Sequence, residues 1–467
     1  MFVGRETELK ELGALHAKPG FQMIVVYGRR RVGKTTLLSQ FAADKKHIYF
    51  TAQESNDKAN LSAFSQALYQ YAGLPANTGG FGSWADALAF LAEQAERDRL
   101  IVVFDEFPYA AQANDALPSI LQSVIDHTLQ SGQLFLVLSG SNVGFMESDV
   151  LGAKSPLHGR RTAQIHLLPF DYLDAAKMLK GVSPADCLRY YACLGGVPHY
   201  LGFVDGQSGF ANNIVHLFYG KSSIFADEPL MLLRQELREP ALYNAILTAL
   251  AKGANTPQLI ADAIGEERTK VMKYLSTLLN LGLIEKRIPM FANQAKTRKG
   301  IYRIADPLFA FWYRCVFPYH AEVELGAGEV IARNKVLPNL SELEGLRFED
   351  VCLQWLRRMN TLGKLPFIAT ALGYWWGTDS RTRQQTDVDV IAAEKTSGQL
   401  LLGECKWQES LQGGAVLKTL VDKDSLFPDF TEFWHYLFCK TDFDAAANRI
   451  AKENPSIALI GLSQLFS

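Results

Sequence analysis

One stretch near the amino terminus constrains this chain more than any other. The apolar run Met23-Ile24-Val25-Val26-Tyr27 reads as a buried strand, and Thr36-Leu37-Leu38-Ser39-Gln40-Phe41 has helical spacing. Between them lies Gly28-Arg29-Arg30-Arg31-Val32-Gly33-Lys34-Thr35-Thr36, a G-x-x-x-x-G-K-[ST] loop. A strand, this loop and a helix in that order form the context of a phosphate-binding P-loop. Gly28 and Gly33 let the backbone N–H groups of the loop, through Arg31 and Val32 to Thr36, wrap phosphates. The helix N-terminus adds its partial positive charge. Lys34 is expected to neutralise the outer phosphates and the Thr35 hydroxyl to hold Mg²⁺. ATP and ADP are the expected ligands.

Further strands point the same way. Leu100-Ile101-Val102-Val103-Phe104 runs straight into Asp105-Glu106. Acids at the end of a strand buried on both faces need a reason to be there. Downstream of a P-loop the pattern reads as Walker B, with Asp105 binding Mg²⁺ through water and Glu106 activating the attacking water. A third apolar run, Leu134–Leu138, ends in Ser139-Gly140-Ser141-Asn142, which puts Ser139 or Ser141 in the place of a γ-phosphate sensor. Arg160 and Arg161 lie in a loop, where either is a candidate arginine finger, in cis or toward a neighbouring subunit. Repeated βα units with phosphates at the strand ends predict an α/β fold with a parallel three-layer sheet.

At 467 residues the chain exceeds one ordinary core, and about two to four domains are expected. The formal charge of −2 gives no global pull toward nucleic acid or membrane, so such binding must come from local patches. No apolar run approaches a membrane span and no signal-peptide core opens the chain, which predicts a cytoplasmic protein. Six scattered cysteines without a C-x-x-C pair argue against zinc and against disulfides.

In the middle of the chain, amphipathic stretches at 240–251, 258–264 and 268–279 precede two alternating runs, 283–288 and 301–304, around a polar loop. Three helices and a hairpin predict a winged helix-turn-helix. Arg268, Lys270 and Lys273 line the exposed side of its third helix, and Lys296, Arg298 and Lys299 the wing tip. A positive helix with a positive wing suits the major groove and flanking phosphates, although Asp262, Glu266, Glu267 and Glu285 dilute the patch. Winged helices also dock proteins, so both readings stand.

A fresh pattern begins near residue 329. A helix at 340–359 carries Glu349, and Thr386-Asp387-Val388-Asp389-Val390-Ile391 alternates acid and aliphatic. The next strand ends in Gly403-Glu404-Cys405-Lys406-Trp407, with Glu404 and Lys406 on one face. Acids on one strand and Glu-x-Lys on its neighbour form the constellation of PD-(D/E)xK nucleases. That chemistry needs carboxylates converging on Mg²⁺ and a lysine to orient the nucleophile or neutralise charge. Asp389 and Glu404 are the expected metal ligands, Glu349 completes the set, and Lys406 is the catalytic lysine.

Phe2-Val3-Gly4-Arg5-Glu6, the P-loop, Phe104-Asp105-Glu106-Phe107-Pro108-Tyr109 and Ser139-Gly140-Ser141 together resemble archaeal-type ATPases of the AAA+/STAND class. Leu157-His158-Gly159-Arg160-Arg161, Leu168-Pro169-Phe170 and Leu194-Gly195-Gly196-Val197-Pro198 fit the same group. The resemblance implies an ATPase core over residues 1–169 and a helical subdomain over 170–236. It further implies a winged helix over 237–328 and a restriction-endonuclease-like (DUF234-type) domain over 329–467. It also implies that the turn at Pro198 lies near the nucleotide and reports its state. Where the family often shows Glu-Ile-Asp, this chain has Asp387-Val388-Asp389, which keeps the ligand. The reading that results is an ATPase controlling a DNA-binding and nuclease-like module, with oligomerisation open. The alternative is a non-cleaving switch whose C-terminal domains only bind partners.

Overall fold

The computed structural model describes residues 2–75, 79–96, 98–292 and 300–467. The wing-tip residues Lys296, Arg298 and Lys299 lie outside them. The chain divides into two compact units, one of Met1–Phe170 with Val197–His199, the other of Asp171–Gly196 with Tyr200–Ser467.

The first unit is built on five strands: β1 (Gln22–Tyr27), β2 (His47–Thr51), β3 (Leu100–Asp105), β4 (Leu134–Gly140) and β5 (Ala163–His166). Every pairing is parallel and the order is β2-β3-β4-β1-β5. All residues of β1, β3 and β4 are buried, as expected of parallel strands covered on both faces. Successive residues of β1 therefore serve opposite cores. Met23 and Val25 belong to one, and Ile24 and Val26 to the other. On the second face pack α1 (Glu6–His16) and α2 (Lys34–Ala42), through Leu12, Leu15, Leu37, Leu38 and Phe41. On the first pack α3 (Asp57–Tyr71), α4 (Trp84–Gln94), α5 (Phe107–Ala113) and α6 (Leu117–His127). Caps fix where two of these begin: Asn56 accepts from the Ala59 N–H, and Ser83 from that of Asp86. The result is a three-layer α/β sandwich. β4 stands between the strand that feeds the P-loop and the strand that ends in Asp105.

In the second unit, three helices (Pro240–Ala251, Pro257–Ile264 and Arg268–Asn280) precede an antiparallel hairpin of β6 (Ile284–Arg287) and β7 (Ile301–Ile304). Pro307–Tyr319 continues as a helical run that buries Phe309, Phe311 and Trp312. The 21-residue helix Ser341–Thr361 then leads to a separate mixed sheet. Its strands are β8 (Ala371–Thr378), β9 (Gln385–Glu394), β10 (Gln399–Lys406), β11 (Glu432–Cys439) and β12 (Ile457–Gly461), in the order β12-β11-β10-β9-β8. β10, β11 and β12 run parallel, and β9 and β8 pair antiparallel. Among the described residues no helix is long and apolar enough to cross a membrane.

Gly28 shows how tightly the sheet fixes the loop above it. A Cβ there would stand 2.2 Å from the Leu167 carbonyl oxygen, just past β5. Gly28→Ala should therefore lower stability by about 1–3 kcal/mol and weaken nucleotide binding, read by thermal melting and by titration with a fluorescent ATP analogue.

Candidate functional site

The P-loop leaves β1 at Gly28 and enters α2 through Gly33, whose φ of 93° lies in the left-handed region. Arg31 shares that region at 71°. These turns bend the loop back on itself, and no side chain caps α2, so its first-turn N–H groups remain for an anion. Lys34 is buried, and its ammonium donates to the Gly28 carbonyl at 2.8 Å and that of Arg29 at 3.2 Å. Arg5 fastens the N-terminal turn to this loop. It donates to the carbonyls of Val32 (3.1 Å) and Leu168 (2.6 Å), and its guanidinium lies over the Phe170 ring.

Asp105, 1% exposed, ends β3 directly below the loop. Its Oδ2 accepts from Thr35 Oγ1 at 2.9 Å and from the Tyr49 hydroxyl at 2.9 Å, and its Oδ1 from the Glu106 N–H at 3.1 Å. A hydroxyl and a carboxylate are the hard oxygen donors that suit magnesium, so the pair fits that ion chemically. Glu106 itself has φ 51°, an uncommon conformation for this residue type, at the start of α5. Its carboxylate accepts from both the N–H (3.1 Å) and the Oγ (2.9 Å) of Ser141. Of the two serines that end β4, Ser141 thus faces the acid, whereas Ser139 is fully buried with its hydroxyl unpartnered. Pro198 lies 3.9 Å from the position a Cβ on Gly33 would take. His199 is held below its usual titration range by burial and by the charge of Arg31.

The arginine-finger candidates are both anchored. Arg160 grips Asp126 through two hydrogen bonds of 2.8 and 2.6 Å and also meets the Pro156 and His158 carbonyls. Arg161 donates to the Leu151 carbonyl at 3.0 Å. Neither faces the Glu106–Ser141 pair through any of these bonds.

In the second unit the β9–β10 ladder runs from Gln399–Glu394 to Gly403–Val390. Just beyond it, the Asp389 carboxylate accepts the Cys405 N–H at 2.7 Å, taking over from a backbone carbonyl. Glu404 accepts from Lys406 at 2.6 Å and from Lys423 at 3.0 Å, and Lys423 also donates to the Asp387 carbonyl at 2.8 Å. Lys423 was not legible in the sequence. It is brought in by the helix Gly413–Asp422, after which the chain turns back over β9. Glu349, on the long helix, is pushed up to about 8 by burial and by the charge of Asp389. Asp389 is raised by burial and by Glu404, and Glu404 is lowered because burial is outweighed by its two lysines. The three acids therefore share one electrostatic neighbourhood. Among the described residues, however, no three His, Cys, Asp or Glu side chains converge closely enough to hold a metal ion as they stand. Each acid is instead taken by an internal partner.

Glu349 meets Arg287 of β6 at 3.7 Å. Arg287 and Arg303 of the hairpin both donate to Asp350 and to Glu285, and Arg347 adds a 3.1 Å bond to Asp350. The Arg287 guanidinium stacks 3.6 Å from the Tyr374 ring centroid, and the Tyr374 hydroxyl donates to Asp350 at 2.9 Å. This network and the Met290 N–H, bonded to the Tyr374 carbonyl at 2.8 Å, weld the hairpin to the long helix and β8. On the third helix of the middle region, Arg268, Lys270 and Lys273 are exposed, and Lys270 pairs with Glu266 at 2.9 Å.

Removing one partner from a buried network leaves charge uncompensated, so Arg287→Met should cost about 3–5 kcal/mol, and Arg287→Lys less, in chemical denaturation. Asp389 has a folded pKa raised above its unfolded value, so its ionisation opposes folding increasingly as pH climbs from the carboxylate range toward neutrality. Asp389→Asn should then raise the melting temperature at pH 8 without divalent ions, and the gain should shrink toward pH 4.5.

Residues 2–204 match an ATPase domain found predominantly in Archaea, and residues 312–419 match a domain of archaeal and bacterial proteins of unknown function. An uncharacterised protein of Methanocaldococcus jannaschii is 29% identical over 88% of this chain and 88% of its own. An uncharacterised ATP-binding protein of the same organism is 46% identical over 46 residues, 10% of this chain and 78% of its own. Among solved structures, a Walker-type ATPase of Pyrococcus abyssi is similar with a TM-score of 0.49 and 22% identity, over 67% of this chain and 96% of that one. The chain therefore carries an ATPase domain of the predominantly archaeal kind over residues 2–204 and a DUF234 domain, of unknown function, over residues 312–419.

Proposed function

We propose that this ATPase uses its nucleotide state to control DNA engagement by a winged helix-turn-helix (237–328) and a nuclease-like domain (329–467). The observation that carries this reading is the course of the chain at Val197–His199. Those residues belong to the nucleotide-binding unit, with Pro198 beside Gly33. The residues on either side, through Gly196 and from Tyr200, belong to the other unit. A change of loop shape on nucleotide binding would thus pull on a covalent link at both ends.

Within the ATPase site, the Lys34 ammonium would exchange its two carbonyl partners for phosphate oxygens. Magnesium, when bound by Thr35 and through water by Asp105, supplies positive charge against the phosphates. Glu106 would accept the proton of the attacking water once Ser141 releases its carboxylate. Arg160 reaches a phosphate only if its pair with Asp126 opens. For DNA, the exposed Arg268 and Lys273 offer contacts to phosphate.

The second reading, a regulator that binds DNA or protein without cleaving, is favoured by the state of Glu349, Asp389 and Glu404. They do not converge on a metal position as they stand. Incubation of the full chain with Mg²⁺ and single- or double-stranded DNA, with and without ATP, separates the two. Under the nuclease reading, wild type cuts and Glu404→Ala with Lys406→Ala does not. Identical DNA profiles for the two proteins would leave the non-cleaving regulator.

A further inference from the structure

One of the three donors to Asp105 comes from outside every motif that marks this site. Tyr49 sits in the middle of β2, paired with Val103 of β3 two residues before Asp105. Its half-buried ring packs against the core of α1 and α2. Its hydroxyl donates to Asp105 Oδ2 at 2.9 Å, the same oxygen that accepts from Thr35 at 2.9 Å.

The chemistry follows from the lone pairs. A carboxylate oxygen accepts about two hydrogen bonds, so Thr35 and Tyr49 together fill Oδ2. Among the described residues Oδ1 accepts only the Glu106 N–H, which leaves one of its positions open. The terminal torsion of an aspartate is soft, and a single donor on a rotatable hydroxyl such as that of Thr35 restrains it weakly. A second donor, rooted in a different strand, holds the carboxylate plane while Thr35 serves the ion. We propose that Tyr49 is a positioning residue of the ATPase site, holding Asp105 so that its open oxygen and the Thr35 hydroxyl serve magnesium together.

The test is Tyr49→Phe in the full chain, which removes one hydroxyl and keeps the packed ring. Affinity for a fluorescent ADP analogue is measured in EDTA and again across a magnesium titration, alongside ATP turnover. The variant should bind the analogue in EDTA as wild type does. Its gain in affinity on adding magnesium should be smaller, and half-maximal turnover should need about tenfold more magnesium, the effect of one lost hydrogen bond to a charged group. The KM for ATP at saturating magnesium should move far less. The proposal rests on magnesium acting at Thr35 and Asp105. Wild-type affinity and turnover that ignore magnesium would remove that basis and the proposal with it. A magnesium response of Tyr49→Phe equal to a clear wild-type response would overturn the role of Tyr49 alone. So would a fall in melting temperature accompanied by equal losses in EDTA and in magnesium, because that marks a purely structural residue.

Discussion

A carboxylate buried to 1% exposure at the end of β3 sets the terms for the nucleotide-binding unit. Burial of a charge is tolerated only with compensation, and Asp105 draws it from three elements: α2 through Thr35, β2 through Tyr49, and the turn into α5 through Glu106. That requirement fixes the register of β2 on β3 and the start of α2 above them. Placing β4 between β1 and β3 then brings Ser141 to Glu106. Lys34 is folded inward onto the carbonyls of the P-loop.

The second unit obeys a different constraint. Three arginines and three acids meet where the β6–β7 hairpin joins the long helix. Such networks are costly to open at one member. The two strands of the hairpin are held in this way to the long helix. Met290 and Phe291 also pack against the core of the C-terminal sheet. The same electrostatics hold the acids beside the C-terminal sheet: Lys406 and Lys423 pair with Glu404, and Arg287 stands near Glu349.

Much of this was legible in the sequence because the informative residues sit at strand ends. Apolar runs ending in Gly28, Asp105 and Ser139-Gly140-Ser141 announce a parallel sheet and its functional edge without any knowledge of packing. The alternation of Asp387 and Asp389, and of Glu404 and Lys406, likewise places each pair on one face of a strand. The sequence could not choose between Ser139 and Ser141, because both end the same strand; only the position of Glu106 distinguishes them. Tyr49 looked like an ordinary strand aromatic, since its partner lies 56 residues away on a neighbouring strand. Lys423 stands 19 residues beyond Glu404 and reaches it only after the intervening helix turns the chain back. Arg287 and Arg303 gave no sign of the network, because the Asp350 they share lies on a helix that begins more than thirty residues later.

The central claim is that nucleotide state at Gly28–Thr36 governs what the C-terminal half does with DNA. The most direct measurement is the affinity of the full chain for double-stranded DNA, by fluorescence anisotropy at fixed salt, without nucleotide, with ADP and with a non-hydrolysable ATP analogue. The account predicts that affinity differs between the ATP-analogue and ADP states, and that Lys34→Ala abolishes the difference. Tight DNA binding that is the same in all three states, in wild type and variant alike, would contradict it.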